Sequence, residues 1–419
     1  MVRKKKNREP VLRRRFVYLG AAALAIALGL GGSYWYSQYQ ANAAQQAVEQ
    51  GDRLFSKGQM DEAAHYYQQA IELAPDLAQA HSKLGATHAA LERFDEAIPH
   101  FEQALALAPN HFEARIGLAV SLDGLGRFLA AEESYKKALA LRPDFGAVYY
   151  NLGYLYHQQG FYAEAAAQYE EAVRLVPTFL QARANLGRVY HLQHRPGEAI
   201  AEFQRALADY PDEGRVYAHL GESYMALSQY AEARAAYRRA VELGIETASA
   251  FYDLGVISEQ EGKLEAARSY FHQALLKNAG HADSYHRLGA VTAKLGQEQQ
   301  AATYYLEAIK RDPGHAGAHY SLAQLYLKQG RSDEGQELMQ VFAKLKEYEG
   351  RLASLKRAAS RSPRTPEAAY NLGLLHLEFG YVNKAAAVFE QLLKLHPEFS
   401  AAQERLAEIE RVRAEHSAG

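Results

Sequence analysis

The sequence predicts an all-α protein: an α-solenoid of about ten helix-turn-helix repeats, preceded by one N-terminal transmembrane helix. Leu-Gly pairs recur at intervals of 34 residues or multiples of 34, which indicates a repeated structural unit. Inside each interval, alanine and large aromatic residues recur with the 3-, 4- and 7-residue spacings of a helix face. Ahead of the repeats, a basic segment precedes a long uncharged apolar segment, a pattern typical of a membrane-spanning helix.

The composition bounds the class of protein. With 419 residues, 48% hydrophobic and 23% charged, the chain is long and apolar enough to bury a sizeable core. Its net charge of -2 argues against a nucleic-acid binder, which needs a basic surface to neutralise phosphates. The absence of cysteine excludes disulfides, thiolate zinc sites and thiol nucleophiles. No phosphate-binding loop, nucleophile elbow, dinucleotide-binding turn or zinc-protease motif occurs, so we expect no enzymatic activity and no cofactor.

A basic segment is followed by an uncharged apolar segment at the N-terminus. Residues 1–15 carry eight Lys or Arg against one Glu, and residues 16–36 contain no charge at all. Twenty-one helical residues span roughly 31 Å, close to the thickness of a bilayer's hydrocarbon core. We therefore interpret residues 1–15 as a basic cytoplasmic segment and residues 16–36 as a signal anchor, followed by a linker over residues 37–43.

Positive charge on one side of the span predicts which way the protein faces. The positive-inside rule puts the N-terminus in the cytoplasm and everything after the span on the outer, periplasmic or extracytoplasmic side. A cleaved signal peptide is the alternative, because Ala41-Asn42-Ala43 resembles a cleavage site. The length of the apolar segment favours an uncleaved single-pass anchor.

Nine contiguous repeat units are predicted over residues 44–349. With Leu-Gly counted as positions 7 and 8, position 20 is small, as in Ala165, position 24 is a large aromatic residue, as in Tyr169, and position 27 is again alanine. Small residues let two helices approach closely while the aromatic ring fills the space between units. Proline at position 32, as in Pro177, ends the second helix. The units begin at Ala44, Ala78, Phe112, Gly146, Leu180, Gly214, Ala248, Ala282 and Ala316.

The repeat register is interrupted once. The second helix of the ninth unit is predicted to run on, so that residues 350–365 form its end and a connector to a tenth unit at residues 366–399. Two interpretations of the long helix remain: a connector, or a docking or dimerisation helix whose apolar stripe stays uncovered. Residues 400–419 are predicted to form a charged capping helix, which the last unit of a stack requires.

Residues 44–399 resemble the tetratricopeptide repeat family in their period, the Leu-Gly pair, an aromatic residue at position 11, and the Ala, aromatic, Ala and Pro positions. The resemblance implies a right-handed superhelix whose first helices line a concave groove. It also implies that positions 2, 5, 6, 9, 12 and 13 of each unit hold segments of partner proteins. The residues that this resemblance places in the groove are Tyr150, Asn151, Tyr154, His157, Asn185, Arg188, His191, Arg215, His219, Glu222, Tyr252, Asp253, His286, Arg287 and Tyr320.

The predicted groove does not single out one kind of ligand. Its charges have mixed sign, and the asparagines at position 6 are suited either to a peptide backbone or merely to neighbouring helices. Histidine pairs such as His191 and His194 lack a third ligand, so no metal site is predicted.

The sequence therefore predicts a noncatalytic scaffold or adaptor. It would be held at the membrane through residues 16–36 and would bind proteins or extended peptide segments, but not nucleic acid, to assemble or hold an envelope complex. The alternative is a permanent structural subunit of a membrane enzyme or electron-transfer complex.

Overall fold

The computed structural model describes residues 35–361 and 365–417, and all regular secondary structure in that part of the chain is α-helical. Odd-numbered helices up to α19 are the first helices of repeats, and even-numbered helices up to α20 are the second helices. The helices are 35–56 (α1), Met60–Leu73 (α2), Ala78–Ala90 (α3), Phe94–Leu107 (α4), Phe112–Gly124 (α5), Phe128–Leu141 (α6), Gly146–Gln158 (α7), Tyr162–Leu175 (α8), Leu180–Leu192 (α9), Pro196–Asp209 (α10), Gly214–Ala226 (α11), Tyr230–Glu242 (α12), Ala248–Gln260 (α13), Leu264–Lys277 (α14), Ala282–Lys294 (α15), Glu298–Arg311 (α16), Ala316–Lys328 (α17), Ser332–Arg361 (α18), Pro366–Glu378 (α19), Val382–Leu395 (α20) and Ser400–Ser417 (α21).

The predicted membrane segment falls almost wholly outside the described residues. The basic segment 1–15 lies outside them, and of the predicted transmembrane helix 16–36 only Trp35 and Tyr36 are described, at the beginning of the described part of α1. None of the helices in the described ranges combines the length and the hydropathy that crossing a bilayer requires.

The segment predicted as a linker is helical instead. Residues 37–43 lie inside α1, which continues without a break into the first helix of the first repeat. The segment contains neither glycine nor proline, and its alanines and glutamines favour a helix, so nothing in it stops the helix from propagating. Most of its side chains are exposed, whereas Ala44, Ala47 and Val48 in the following turn are buried.

The chain divides into two compact units, residues 1–143 and residues 144–419. The first contains α1 to α6 and the second contains α7 to α21. Inside each unit, a first helix packs against the second helix of its own repeat, and that second helix packs against the first helix of the next repeat. Each repeat thus buries its apolar face only with its neighbours, as in other linear repeat architectures.

In the core of a repeat, small residues pack around the aromatic ring at position 24. In the repeat that begins at Gly146, the side chains of Ala165, Tyr169 and Ala172 are fully buried. A methyl group added to Gly153 would lie 2.8 Å from Cδ1 of Tyr169, so the ring occupies the space that glycine leaves on the first helix. Burying such a ring stabilises the fold by roughly 1.5–3 kcal/mol, which makes this contact a main source of cohesion.

Glycine or proline residues in the turns determine where these helices end. The turn between α7 and α8 contains Gly160 at a φ of 78°, the left-handed conformation that glycine adopts without strain. In the repeat that begins at Gly214, position 32 is Ile245 rather than proline, and Gly244 ends the helix at a φ of 84°. Helix α12 is consequently 13 residues long, one shorter than the preceding second helix, α10.

The ninth repeat ends in a long second helix whose apolar stripe is covered. Helix α18 has 30 residues and extends along α19 of the tenth repeat. Its buried Tyr348 packs against the rings of Phe379 and Tyr381, at centroid distances of 5.1 and 4.8 Å. The docking-helix interpretation expected an uncovered stripe, but none of its members is exposed: Leu338, Phe342, Leu345, Leu352 and Leu355. Helix α18 therefore connects the ninth repeat to the tenth by packing on it.

Candidate functional site

The predicted groove residues all lie on six first helices of the second unit: α7, α9, α11, α13, α15 and α17. We call the face that carries repeat positions 2, 5, 6, 9, 12 and 13 of these helices the first-helix surface. Hydrogen bonds join consecutive first helices across it. Asn185 Nδ2 on α9 lies 3.5 Å from the Tyr150 hydroxyl on α7, and His286 Nε2 on α15 lies 3.1 Å from Ser321 Oγ on α17. These contacts link the side chains of α7 to those of α9, and the side chains of α15 to those of α17.

An aromatic cluster occupies the α7 part of the first-helix surface. The rings of Tyr150 and Tyr154 stack with centroids 6.5 Å apart, and Tyr150 also packs on Phe179, at 4.9 Å. Tyr154 remains 45% exposed. Burial raises the pKa of Tyr150, so its hydroxyl stays protonated and available as a hydrogen-bond donor. The cluster offers a broad apolar face with polar tips, which suits contact with a protein chain.

The side chains of α9 and α11 add charge beside the aromatic cluster. Arg188 and Arg215 are exposed, and neither forms an ion pair within the described residues. Glu222 lies 3.1 Å from Nδ1 of His219. Burial opposes ionisation of Glu222, but the hydrogen bond from His219 and the charge of Arg188 help to outweigh it, and the pKa of that carboxyl is lowered.

Two histidines on this part of the surface are held neutral. Burial lowers the pKa of His157, and the neighbouring Arg188 charge lowers it further. Burial likewise lowers the pKa of His191, whose Nδ1 lies 3.1 Å from Ser223 Oγ on the next first helix. Both rings are consequently polar but uncharged at neutral pH.

The acidic side chains of α13 have internal partners. The Tyr237 hydroxyl donates to Oδ2 of Asp253 at 2.6 Å, and burial raises the pKa of Asp253 to about 6. Buried Glu259 accepts a hydrogen bond from Lys294 at 2.6 Å and lies 3.4 Å from the Arg287 guanidinium. Asp253 and Arg287, both predicted as partner-binding residues, are thus engaged within the fold.

Most of the side chains on the α15 and α17 part of the surface also contact other groups of the protein. Asp283 Oδ1 lies 3.2 Å from Nε2 of His315. Burial, with the charges of His315 and Arg287, lowers the pKa of His286 to about 4. Tyr252 is partly buried, and its ring packs edge-on against His281 at 5.2 Å. Tyr320 is 43% exposed and packs beside Phe342 of α18, with ring centroids 5.0 Å apart.

Metal binding finds no support in the described ranges. There, no three His, Cys, Asp or Glu side chains are arranged to hold a metal ion. His315 and His319, four positions apart in the sequence, each contact protein groups. His315 Nε2 lies 3.2 Å from Asp283 Oδ1, and His319 Nε2 lies 3.0 Å from the Pro313 carbonyl oxygen.

Family models for the tetratricopeptide repeat match the chain over residues 51–337 and again over residues 366–399. The chain belongs to the tetratricopeptide repeat family. One model, described as a TPR repeat, matches residues 51–92. Models described as tetratricopeptide repeats match residues 76–144, 116–178, 150–214, 190–244, 219–284, 282–315, 304–337 and 366–399. Tetratricopeptide repeat proteins mediate protein–protein interactions and are typically non-enzymatic scaffolds.

Solved structures of tetratricopeptide repeat proteins are similar to this chain over part of its length. YrrB, described as a TPR protein with an unusual peptide-binding site, is 27% identical and aligns with 45% of this chain and 98% of its own, with a TM-score of 0.40. PilF of Pseudomonas aeruginosa is 23% identical and aligns with 52% of this chain and 97% of its own, with a TM-score of 0.45. A tetratricopeptide repeat protein from Parabacteroides merdae is 18% identical over 60% of this chain and 99% of its own, with a TM-score of 0.43. No curated protein matches the chain in sequence.

Sequence reasoning missed the partners that come from the second helices and from the turns of this tetratricopeptide repeat array. Tyr237, which holds Asp253, and Phe179, which supports Tyr150, were not among the predicted site residues. The pairing of Tyr237 with Asp253 has a counterpart in the sequence, because a tyrosine at position 24 precedes position 6 of the next repeat by sixteen residues. The same spacing separates Tyr169 from Asn185.

Proposed function

We propose that this protein is a membrane-tethered, noncatalytic scaffold that binds extended segments of partner proteins on its first-helix surface and assembles or holds an envelope complex. The observation that carries the proposal is the set of aromatic and polar side chains on consecutive first helices, with Tyr154 and Tyr320 substantially exposed. Exposed tyrosines supply contact area at low conformational cost, and amides supply hydrogen bonds to a peptide backbone. Membership of a family that mediates protein–protein interactions supports the same role.

The tethering part of the proposal rests on the N-terminal sequence and on the beginning of α1. Eight basic residues precede an uncharged apolar segment over residues 16–36, and three aromatic side chains are exposed at the end of that segment and just after it. Trp35, Tyr36 and Tyr39 are 77%, 64% and 71% exposed, and such rings favour the interface between a bilayer and water. Confinement to a membrane would raise the effective concentration of the surface toward partners there and strengthen weak contacts.

The binding role is tested with alanine variants of the full-length protein. We expect Asn151→Ala, Tyr154→Ala and Asn185→Ala, combined in one variant, to reduce the partner proteins recovered when the tagged protein is purified from its native membrane in mild detergent. The reason is that these changes remove exposed contact area and amides from the first-helix surface. Recovered proteins are quantified by mass spectrometry, and circular dichroism checks that the helical content is retained.

A matched control changes exposed side chains on a second helix. Glu232→Ala combined with Arg238→Ala, both on α12, should leave recovery unchanged. Loss of partners in the control, with full recovery in the first variant, would move the binding site to the second helices. Partners that stay stoichiometric through a high-salt wash in both variants would instead indicate a permanent structural subunit of a larger complex.

A further inference from the structure

Charges on the α13, α15 and α17 part of the first-helix surface are neutralised inside the protein. Glu259 is paired with both Lys294 and Arg287, and Asp283 is paired with His315. Lys328 on α17 is paired with Glu298 of the preceding second helix. This part of the surface therefore presents few charges that a ligand would be needed to balance.

The α7, α9 and α11 part has the opposite character. Helix α7 contains no Asp, Glu, Lys or Arg, and Arg183 on α9 is paired with Glu202 of α10 at 2.8 Å. Arg188 on α9 and Arg215 on α11 are exposed and form no ion pair within the described residues, whereas the only carboxylate on these three helices that faces the surface, Glu222, is held by His219. Two unpaired guanidinium groups against one engaged carboxylate leave an excess of positive charge.

Of the two unpaired cations, Arg188 lies beside the aromatic cluster. Arg188 occupies position 9 of its repeat, the position that Tyr154 occupies one repeat earlier. Arg188 acts electrostatically on His157 of α7 and on Glu222 of α11, which places its charge between the aromatic cluster and α11. A ligand on this part of the surface therefore meets an apolar face and a cation side by side.

We propose that the α7–α9–α11 part of the first-helix surface binds an extended acidic peptide segment, in which carboxylate side chains reach Arg188 and Arg215 and an aromatic or aliphatic side chain packs on Tyr154. The inference rests on the proposed function and names the chemistry of the partner. Arg188 and Arg215 stand seven positions apart along neighbouring helices, so their Cα atoms are roughly 14 Å apart, given about 10 Å between axes and 1.5 Å rise per residue. One carboxylate cannot serve both. An extended chain covers that distance in about four residues, which predicts two internal acidic residues rather than one terminal carboxylate.

The test measures binding of short fluorescent probe peptides to the full-length protein in detergent. The first probe has an amidated C-terminus and two glutamates four positions apart with a tyrosine between them. The second replaces both glutamates with glutamine, and the third keeps the glutamines but ends in a free carboxylate. Fluorescence polarisation should show binding of the first probe only, weakening as salt rises, because exposed charge pairs are screened.

Charge reversal identifies the residues that receive the carboxylates. Arg188→Glu and Arg215→Glu should each raise the Kd of the first probe by about fivefold to tenfold. Arg238→Glu, the same change of charge at an exposed site on α12, should leave it unchanged. A lysine version of the probe should bind Arg188→Glu better than the unchanged protein. Thermal unfolding of each variant verifies that it is folded.

Several outcomes overturn the inference. Equal affinity for the glutamate and glutamine probes, insensitivity to both arginine reversals, or binding of the free-carboxylate probe alone would each contradict an internal acidic segment. If no probe binds but membrane partners are still recovered and still lost in the Asn151, Tyr154 and Asn185 variant, the acidic-segment inference fails while the scaffold function stands.

Discussion

In two repeats, position 6 of a first helix lies opposite an aromatic ring from the preceding second helix. Where the ring is Tyr237, position 6 is Asp253, which accepts its hydrogen bond. Where the ring is Phe101, position 6 is Gly117, and a methyl group added there would lie 2.2 Å from the ring. A residue at this position therefore serves the packing of the repeat as well as the exposed surface.

Asp253 provides a test of this double role through its ionisation. Its folded pKa is raised from 3.8 to about 6 by burial, so the ionised form is disfavoured in the fold and stability is lost as pH rises from about 4 through 6. We expect Asp253→Asn to stabilise α12 and α13 by about 1–2 kcal/mol at pH 7 and to have little effect at pH 4. Hydrogen exchange of peptides from these helices, compared with the unchanged protein at the same pH, measures the difference.

The control for this prediction is Asp209→Asn, a change at an exposed carboxylate on α10. It should leave exchange in α12 and α13 unaltered at both pH values. Faster exchange of Asp253→Asn at pH 7 would show instead that the hydrogen bond from Tyr237 to the ionised carboxylate outweighs the cost of burying the charge.

At the scale of elements, the buried side chain of Tyr348 is one of the contacts by which α18 packs on the tenth repeat. The Tyr348 hydroxyl lies 2.9 Å from Nδ1 of His376 on α19, and its ring is 6% exposed. Nearby, the Arg351 guanidinium donates to both carboxylate oxygens of Glu378, at 2.5 and 2.6 Å. The ion pair is exposed and contributes at most about 1 kcal/mol, so the buried tyrosine is the stronger of these two contacts.

Removal of that contact should loosen the tenth repeat. We expect Tyr348→Ala to destabilise α19 and α20 locally by about 3–5 kcal/mol, because it leaves a cavity among Phe379, Tyr381 and His376. Tyr348→Phe should cost about 1 kcal/mol, the usual net value of one hydrogen bond. Hydrogen exchange of α19 and α20 distinguishes the two, and Val341→Ala, at an exposed position of α18, is the control. Equal protection in all three variants would mean that α18 does not support the tenth repeat.

Sequence periodicity predicts the helices better than it predicts their ends or their pairings. The 34-residue interval is sufficient for the helix pairs because most repeats carry their own Leu-Gly, alanine and aromatic residues. It could not predict that residues 37–43 are helical, because exposed alanine and glutamine side chains leave no apolar period. Periodicity also could not predict which charged side chains of the groove lack an ion-pair partner. Glu259 meets Lys294 across 35 residues, a pairing that depends on which faces of neighbouring helices come together.

At the scale of the whole molecule, the main contacts of each described helix within its unit are with helices close to it in sequence, which localises the effect of a change. A substitution on α13 should therefore alter its neighbours and leave distant repeats unaffected. The proposed function at this scale depends on the side of the membrane on which the repeats would lie, and the N-terminal charge pattern predicts the outer side.

The predicted orientation is tested by adding protease to intact spheroplasts that carry the full-length protein with a C-terminal tag. We expect the tag and the repeats to be digested while a cytoplasmic marker protein stays intact, because the repeats follow the apolar segment on its outer side. Recovery of the anchored, undigested protein until the membrane is permeabilised would place the repeats in the cytoplasm. Release of the protein into the medium as a shortened chain would indicate cleavage near Ala43.

The unbroken helix over residues 35–56 fixes the direction, around its own axis, in which the first helical hairpin (α1 and α2) points. Each residue added within the exposed part of this helix would rotate the hairpin by about 100° relative to the part of α1 before the insertion. It would also move the hairpin about 1.5 Å along the helix axis. One added alanine after Gln40 would thus swing the hairpin more than a quarter turn. Seven added residues would bring it back to within about 20° of its original azimuth.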